Sequence, residues 1–92
     1  MGYIFEWDSR KAASNQKKHG ISFDEATTTF GDPLSLLMDD PKLSTDERRF
    51  LVIGHSVQQR LLVVAFAERT PRTRIISARL ATRHERNQYE QE

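Results

Sequence analysis

Three runs decide the fold: Arg48-Arg49-Phe50-Leu51-Val52-Ile53-Gly54-His55, Leu61-Leu62-Val63-Val64-Ala65-Phe66-Ala67-Glu68-Arg69 and Thr73-Arg74-Ile75-Ile76-Ser77-Ala78-Arg79. Each is dense in β-branched and aromatic residues, so strands are expected over Arg48–His55, Arg60–Arg69 and Thr73–Arg79. Only Ser56-Val57-Gln58-Gln59 and Thr70-Pro71-Arg72 separate them. Links that short join antiparallel neighbours, because a parallel pair needs a long crossover.

Upstream, Leu34 to Met38 reads as a shorter strand that ends in an acidic loop, residues 39–46. Gly31-Asp32-Pro33 stops the helix before it. That helix opens with a capping box, Ser22 and Glu25, and with Ile21 placed as a staple against Ala26. Phe23, Ala26, Thr27 and Phe30 give it a core-facing stripe. An earlier helix runs from an Asp8 N-cap to about Lys18. Lys17, Lys18 and His19 suit the negative end of its dipole, and Gly20 suits the position after it. Tyr3 to Trp7 reads as a first strand with its three aromatic rings on one face. Downstream, Thr82 and Glu85 form a second capping box. The last helix has few apolar residues beyond Tyr89, so it is expected to pack loosely or to dock on a partner. The fold class is therefore α+β, with helices on one face of a mostly antiparallel sheet.

The 92 residues suit one domain spanning 1–92. With no cysteine, disulfides and thiolate metal sites are excluded. The longest apolar run, Leu61 to Ala67, falls far short of the ~20 residues that span a bilayer. No basic stretch followed by an apolar one opens the chain, so no signal peptide is read and the cytoplasm is the expected location. The net charge of +1 hides a polarised distribution. Residues 20–47 hold seven acids against Lys42, a net −6, while residues 60–86 hold seven arginines against Glu68 and Glu85, a net +5. Arginine presents a planar fork that grips phosphate through two hydrogen bonds, so a polyanion is the partner this half suits. A solvated basic face is the plainer reading of the same charges.

His19, His55 and His84 are far apart and show no ligand spacing, so no metal and no cofactor are expected. Phosphate-cradling glycine motifs are absent, as is a Gly-x-Ser-x-Gly elbow. RNA cleavage fits such a chain because the substrate's 2′-hydroxyl is the nucleophile; the protein positions the strand, moves two protons and stabilises the phosphorane charge. Alternation along the last strand puts Thr73, Ile75, Ser77 and Arg79 on one face and Arg74, Ile76 and Ala78 on the other. Arg79 and the Glu68-Arg69 pair stand at strand ends, where they are either structural ion pairs or a phosphate site. His19 is explained by the helix dipole or by a catalytic role.

Phe5-Glu6-Trp7-Asp8, Lys18-His19-Gly20-Ile21-Ser22-Phe23-Asp24-Glu25-Ala26, Phe30-Gly31-Asp32-Pro33, Asp46-Glu47-Arg48-Arg49-Phe50, Glu68-Arg69 and Arg74-Ile75-Ile76-Ser77-Ala78-Arg79 occur in this order and spacing. This series resembles the BrnT family of type II toxins from toxin–antitoxin systems, over about residues 4 to 89. The resemblance implies a RelE-like fold and a ribonuclease that halts translation. It implies a hetero-oligomer with a BrnA-like ribbon-helix-helix antitoxin, through which alone operator DNA is bound. The matching charged positions are Lys18, His19, Glu47, Arg48, Glu68, Arg69, Arg74 and Arg79. Glu68, Arg69, Arg79 and His19 are the expected catalytic residues, and Lys18, Arg48, Arg74 and Arg83 the expected RNA contacts. Ala67 departs from the pattern, since a polar residue, often threonine, is expected before the Glu-Arg pair. The alternative function is a non-catalytic nucleic-acid- or antitoxin-binding module serving as a co-repressor subunit.

Overall fold

A computed structural model of the chain describes residues 2–40 and 48–91. Most of the expected acidic loop, and Glu47, lie outside the described residues. The elements are strand β1 (Ile4–Glu6), helices α1 (Ser9–His19) and α2 (Phe23–Thr27), and a 3₁₀ turn at Thr28–Gly31. Strands β2 (Leu36–Asp39), β3 (Arg48–His55), β4 (Leu61–Arg69) and β5 (Arg72–Leu80) follow, then helix α3 (Arg83–Glu90). The strands form one sheet in the order β1-β5-β4-β3-β2, antiparallel except for β1, which runs parallel to β5.

The caps form where the sequence puts them. Asp8 accepts from the N–H groups of Arg10 and Lys11, and Gly20 ends α1 in the left-handed region at φ 72°. Ser22 accepts from the Glu25 N–H. Glu25 itself turns inward, where it is buried and accepts from Arg60 and Ser56. The α3 capping box closes in both directions. The second strand starts two residues later than expected, because Asp32 draws the Leu34 N–H into a local turn at 2.9 Å.

Alternation along the strands divides the side chains between two layers. On one face Ile21, Phe23 and Ala26 pack against Val52, Leu62, Val64, Phe66, Ile75 and Ala78, so α1 and α2 cover it. On the other, Ile53, Leu61 and Val63 gather around Tyr89 of α3. The expectation of all helices on one face is thus corrected: the third docks on the opposite face. One apolar residue is enough because its hydroxyl is also used. Tyr89 donates to Asp32 Oδ2 at 2.6 Å, beside the His55 N–H at 2.8 Å on the same oxygen. Tyr89 is the buried residue of α3, so the helix is held at that point and by the Arg79–Glu85 pair while the rest of its surface is open.

A second correction concerns β5. Phe66 pairs with Ile75 but Ala65 pairs with Ser77, so Ile76 is an extra residue in a β-bulge. The bulge reverses the alternation. Thr73, Ile75 and Ala78 face the helices, whereas Arg74, Ser77 and Arg79 share the other face.

Among the described residues no strand lies beside the outer edge of β5 past Glu6, and Asn15 of α1 takes its place. Its Nδ2 donates to the carbonyls of Ala78 (2.8 Å) and Ile21 (3.0 Å), and its Oδ1 accepts from the Ala78 N–H at 3.1 Å. A side-chain amide offers the donor and acceptor that a neighbouring strand would supply. The contact seats the end of α1 beside the bulge.

Candidate functional site

On the half of the second face that α3 leaves open, side chains line up in rows across the paired strands. Arg69 stands opposite Arg72, and Arg49, Ala67, Arg74 and Glu6 form the next row. Leu51, Ala65 and Ser77 follow, then Ile53, Val63 and Arg79. Arginines therefore surround a floor of small side chains, Ala65, Ala67 and Ser77. The bulge is what brings Arg79 and Ser77 into this group.

A pocket of about 200 Å³ opens here between Asp40, Arg49, Leu51, Val63, Ala65, Ser77 and Arg79. A second, of about 210 Å³, lies against the end of α1 and is lined by Lys11, Ser14, Asn15, Lys18, His19, Ile76 and Ser77. Ser77 belongs to both, so the cationic end of α1 and the arginine pocket adjoin across one small side chain.

Among the described residues, three carboxylates temper the positive charge. Glu85 accepts from Arg79 through both oxygens at 2.8 Å. That bond, against burial and helped by the Thr82 N–H, holds the Glu85 carboxyl down at about 2 and raises the Arg79 guanidinium. Arg49 Nε lies 3.5 Å from Asp40 Oδ2, yet it is buried without a hydrogen bond. A guanidinium donor in that state favours an anion that can reach it. Glu6 faces Arg69, Arg72 and Arg74. Such a face can bind phosphates and stabilise charge developing on one, and the imidazole of His19 lines the adjoining pocket.

The expected site residues divide between the faces. Arg69, Arg74 and Arg79 share the open face, with Lys18 and His19 at its margin. Glu68 pairs with Arg48 and Thr73 on the helix-covered face. There Arg48 lies over the Phe50 ring, with its guanidinium carbon 5.3 Å from the ring centre. Arg83 is exposed in the first turn of α3, and Glu47 lies outside the described residues. Arg49, Arg72, Ser77 and Glu6 were not expected. Arg49 was legible from its alternation with Leu51 and Ile53, but Ser77 depended on the bulge.

The helix-covered face carries a separate apolar groove lined by Tyr3, Phe30, Leu37, Phe50 and Phe66, with Glu68 at its rim. Among the described residues no group of three or more histidines and carboxylates could hold a metal ion. No helix of the described residues is long and apolar enough to cross a membrane.

Comparison with solved structures finds the same fold in the crystal structure of the Brucella abortus ribonuclease toxin BrnT. Its TM-score is 0.67 at 21% identity, covering 89% of this chain and all of that one. No curated protein sequence matches significantly. A family model described as "Ribonuclease toxin, BrnT, of type II toxin-antitoxin system" matches residues 7–85. With that match extending from the first strand's end into α3, the chain belongs to the BrnT family of ribonuclease toxins of type II toxin–antitoxin systems.

Proposed function

We propose that the open arginine face is where this toxin holds and cuts RNA. The reading is carried by one observation: Arg49 and Arg79 flank a floor of small residues that adjoins Lys18 and His19 through Ser77. In the proposed reaction the RNA 2′-hydroxyl attacks the adjacent phosphorus, and His19 takes or gives a proton. Arg79 and Arg49 hold the non-bridging oxygens as the phosphorane gains charge, which is the step that fixed guanidinium groups favour most. The bond to the 5′-oxygen breaks and that oxygen gains a proton. The ends are a 2′,3′-cyclic phosphate and a 5′-hydroxyl. No metal ion is needed in this scheme, because the nucleophile belongs to the substrate and the charge is met by arginine.

Lys18, Arg69 and Arg74 serve as phosphate contacts along the same face. Glu68, Arg48 and Arg83 stand outside this path. Cutting messenger RNA would inhibit translation, and a BrnA-like ribbon-helix-helix antitoxin that covers the face would neutralise the toxin. That antitoxin would also carry the complex to operator DNA, in the cytoplasm. The test is induced expression without the antitoxin. Growth arrest with loss of messenger RNA is expected, and Arg79→Ala should relieve it while the antitoxin still binds. Normal growth with intact messenger RNA in the wild type would contradict the reading.

A second reading, a non-catalytic co-repressor subunit, is favoured by the carboxylates that already partner the face arginines, Glu85 above all. Purified wild-type protein that binds RNA with steep salt dependence but never cuts it would decide for that alternative.

A further inference from the structure

Beyond the pocket at Arg79, the open face holds a second arginine cluster built around a carboxylate of β1. Glu6 Oε2 lies 3.4 Å from Arg74 Nη1 and 3.9 Å from Arg69 Nη1, while Glu6 Oε1 lies 3.9 Å from Arg72 Nη1. These separations contrast with the paired 2.8 Å bonds that join Arg79 to Glu85. Arg74 donates one long hydrogen bond to the carboxylate, while Arg69 and Arg72 stay at ion-pair distance from it. Among the described residues, Arg72 and Arg74 alone carry more positive charge than the negative charge of Glu6.

We propose that this cluster is a second phosphate-binding position for the RNA strand, and that Glu6 stands in for the phosphate when no RNA is bound. The inference rests on the RNA reading of the face. Three features support it. First, a carboxylate and a phosphodiester both present two oxygens to an arginine fork, so a group that accepts one accepts the other. Second, the cluster is continuous with the pocket: Arg74 stands in one row with Ala67 and Arg49, and Arg49 lines the pocket. Nothing larger than a methyl group stands between Arg49 and Arg74 in that row. Third, Arg74 and Arg79 lie on one strand about 13–16 Å apart at the rise of a β-strand, with the bulged Ile76 between them. Cationic positions at that separation along one strand suit a ligand whose charge repeats, as a nucleic-acid strand does.

Glu6 has a definite effect in this scheme. As a fixed negative charge it repels an arriving phosphate, and it keeps the arginine side chains gathered until one arrives. Removing its charge leaves the cluster more cationic and removes the competitor.

The experiment measures binding of a single-stranded oligonucleotide with every 2′-hydroxyl replaced by hydrogen, which cannot be cut by the proposed route. Affinity is followed as a function of salt for the full chain and the variants Glu6→Gln, Arg72→Gln, Arg72→Lys and Arg79→Gln. Thermal unfolding of each confirms that it is folded. Glu6→Gln should bind roughly fivefold tighter at low salt, as expected on removing a like charge at the surface. Arg72→Gln should lower the log–log salt slope by about 0.7, the equivalent of one phosphate on a single strand, and Arg72→Lys should restore it. If wild type binds and Arg79→Gln weakens it while Glu6→Gln and Arg72→Gln change nothing, the second position is overturned and the RNA reading stands. If wild type does not bind at all, both fall. If the Glu6 and Arg72 variants alter affinity for the antitoxin alone, the cluster is an antitoxin contact and the proposal is overturned.

Discussion

At Arg79 a single partner sets both position and charge. Glu85 grips the guanidinium through both oxygens, and its carboxyl is held at about 2 against an ordinary value of 4.5. A carboxyl depressed in the folded state adds stability above its unfolded pKa and loses it as pH falls toward the folded one. The contribution is therefore full above about 4.5 and fades between 4.5 and 2. Arg79 keeps 38% of its side chain exposed, so solvent screening reduces the pair to about 1 kcal/mol. Glu85→Gln should lower the urea-unfolding stability by that amount at pH 7 and flatten its loss between pH 4.5 and 3. An unchanged acid profile would mean that the pair does not form in solution. Asp32 differs in kind. Burial pushes its carboxyl up, but the N–H groups of His55 and Leu34 and the hydroxyl of Tyr89 together hold it down. Tyr89 is pushed up to about 12, by burial first and then by Asp32. Tyr89→Phe removes a hydrogen bond to a charged acceptor and should cost about 1.5–3 kcal/mol, read from the shift in unfolding midpoint.

At the scale of elements, two contacts fix the site's walls. Asn15 ties α1 to β5 where no strand covers the edge, and Asn15→Ala leaves the Ala78 N–H and C=O without that partner. A loss of about 1–3 kcal/mol is expected, with faster amide exchange at Ala78. A stability equal to wild type would show that water replaces the amide at no cost. The Tyr89 anchor does the same for α3, so Tyr89→Phe should raise exchange through residues 83–90 more than in β4. Most elements were legible in the sequence, because caps, breakers and apolar alternation act over a few residues. Arg48–His55 matches to the residue, and Asp8 and Ser22 cap their helices as expected, while the Glu25 half of the expected capping box is given to Arg60 and Ser56 instead. What was not legible is the extra residue at Ile76. Nothing local distinguishes Ile75-Ile76 from regular strand, and one inserted residue moves every later side chain to the opposite face. Regular alternation therefore groups Arg79 with Ile75 and gives no link from Ser77 to Lys18 and His19. The docking face of α3 was hidden for a related reason, since Asp32 and Tyr89 are 57 residues apart.

The whole molecule divides its labour between two faces. One is filled by α1 and α2 and supplies the core; the other is half covered by α3 and left cationic. The opposed charges of residues 20–47 and 60–86 were visible in composition, but Arg60 shows the limit of that reading. Its charge is spent on the buried Glu25 rather than on the open face. The catalytic claim is tested most directly by incubating the purified chain, with a metal chelator present, with an RNA oligonucleotide and with its fully 2′-deoxy counterpart. The account predicts cleavage of the RNA to 2′,3′-cyclic phosphate ends, no cleavage of the deoxy strand, and a fall of about 10²-fold or more for Arg79→Ala. Intact RNA after incubation with folded wild-type protein, or cleavage by Arg79→Ala at the wild-type rate, would contradict it.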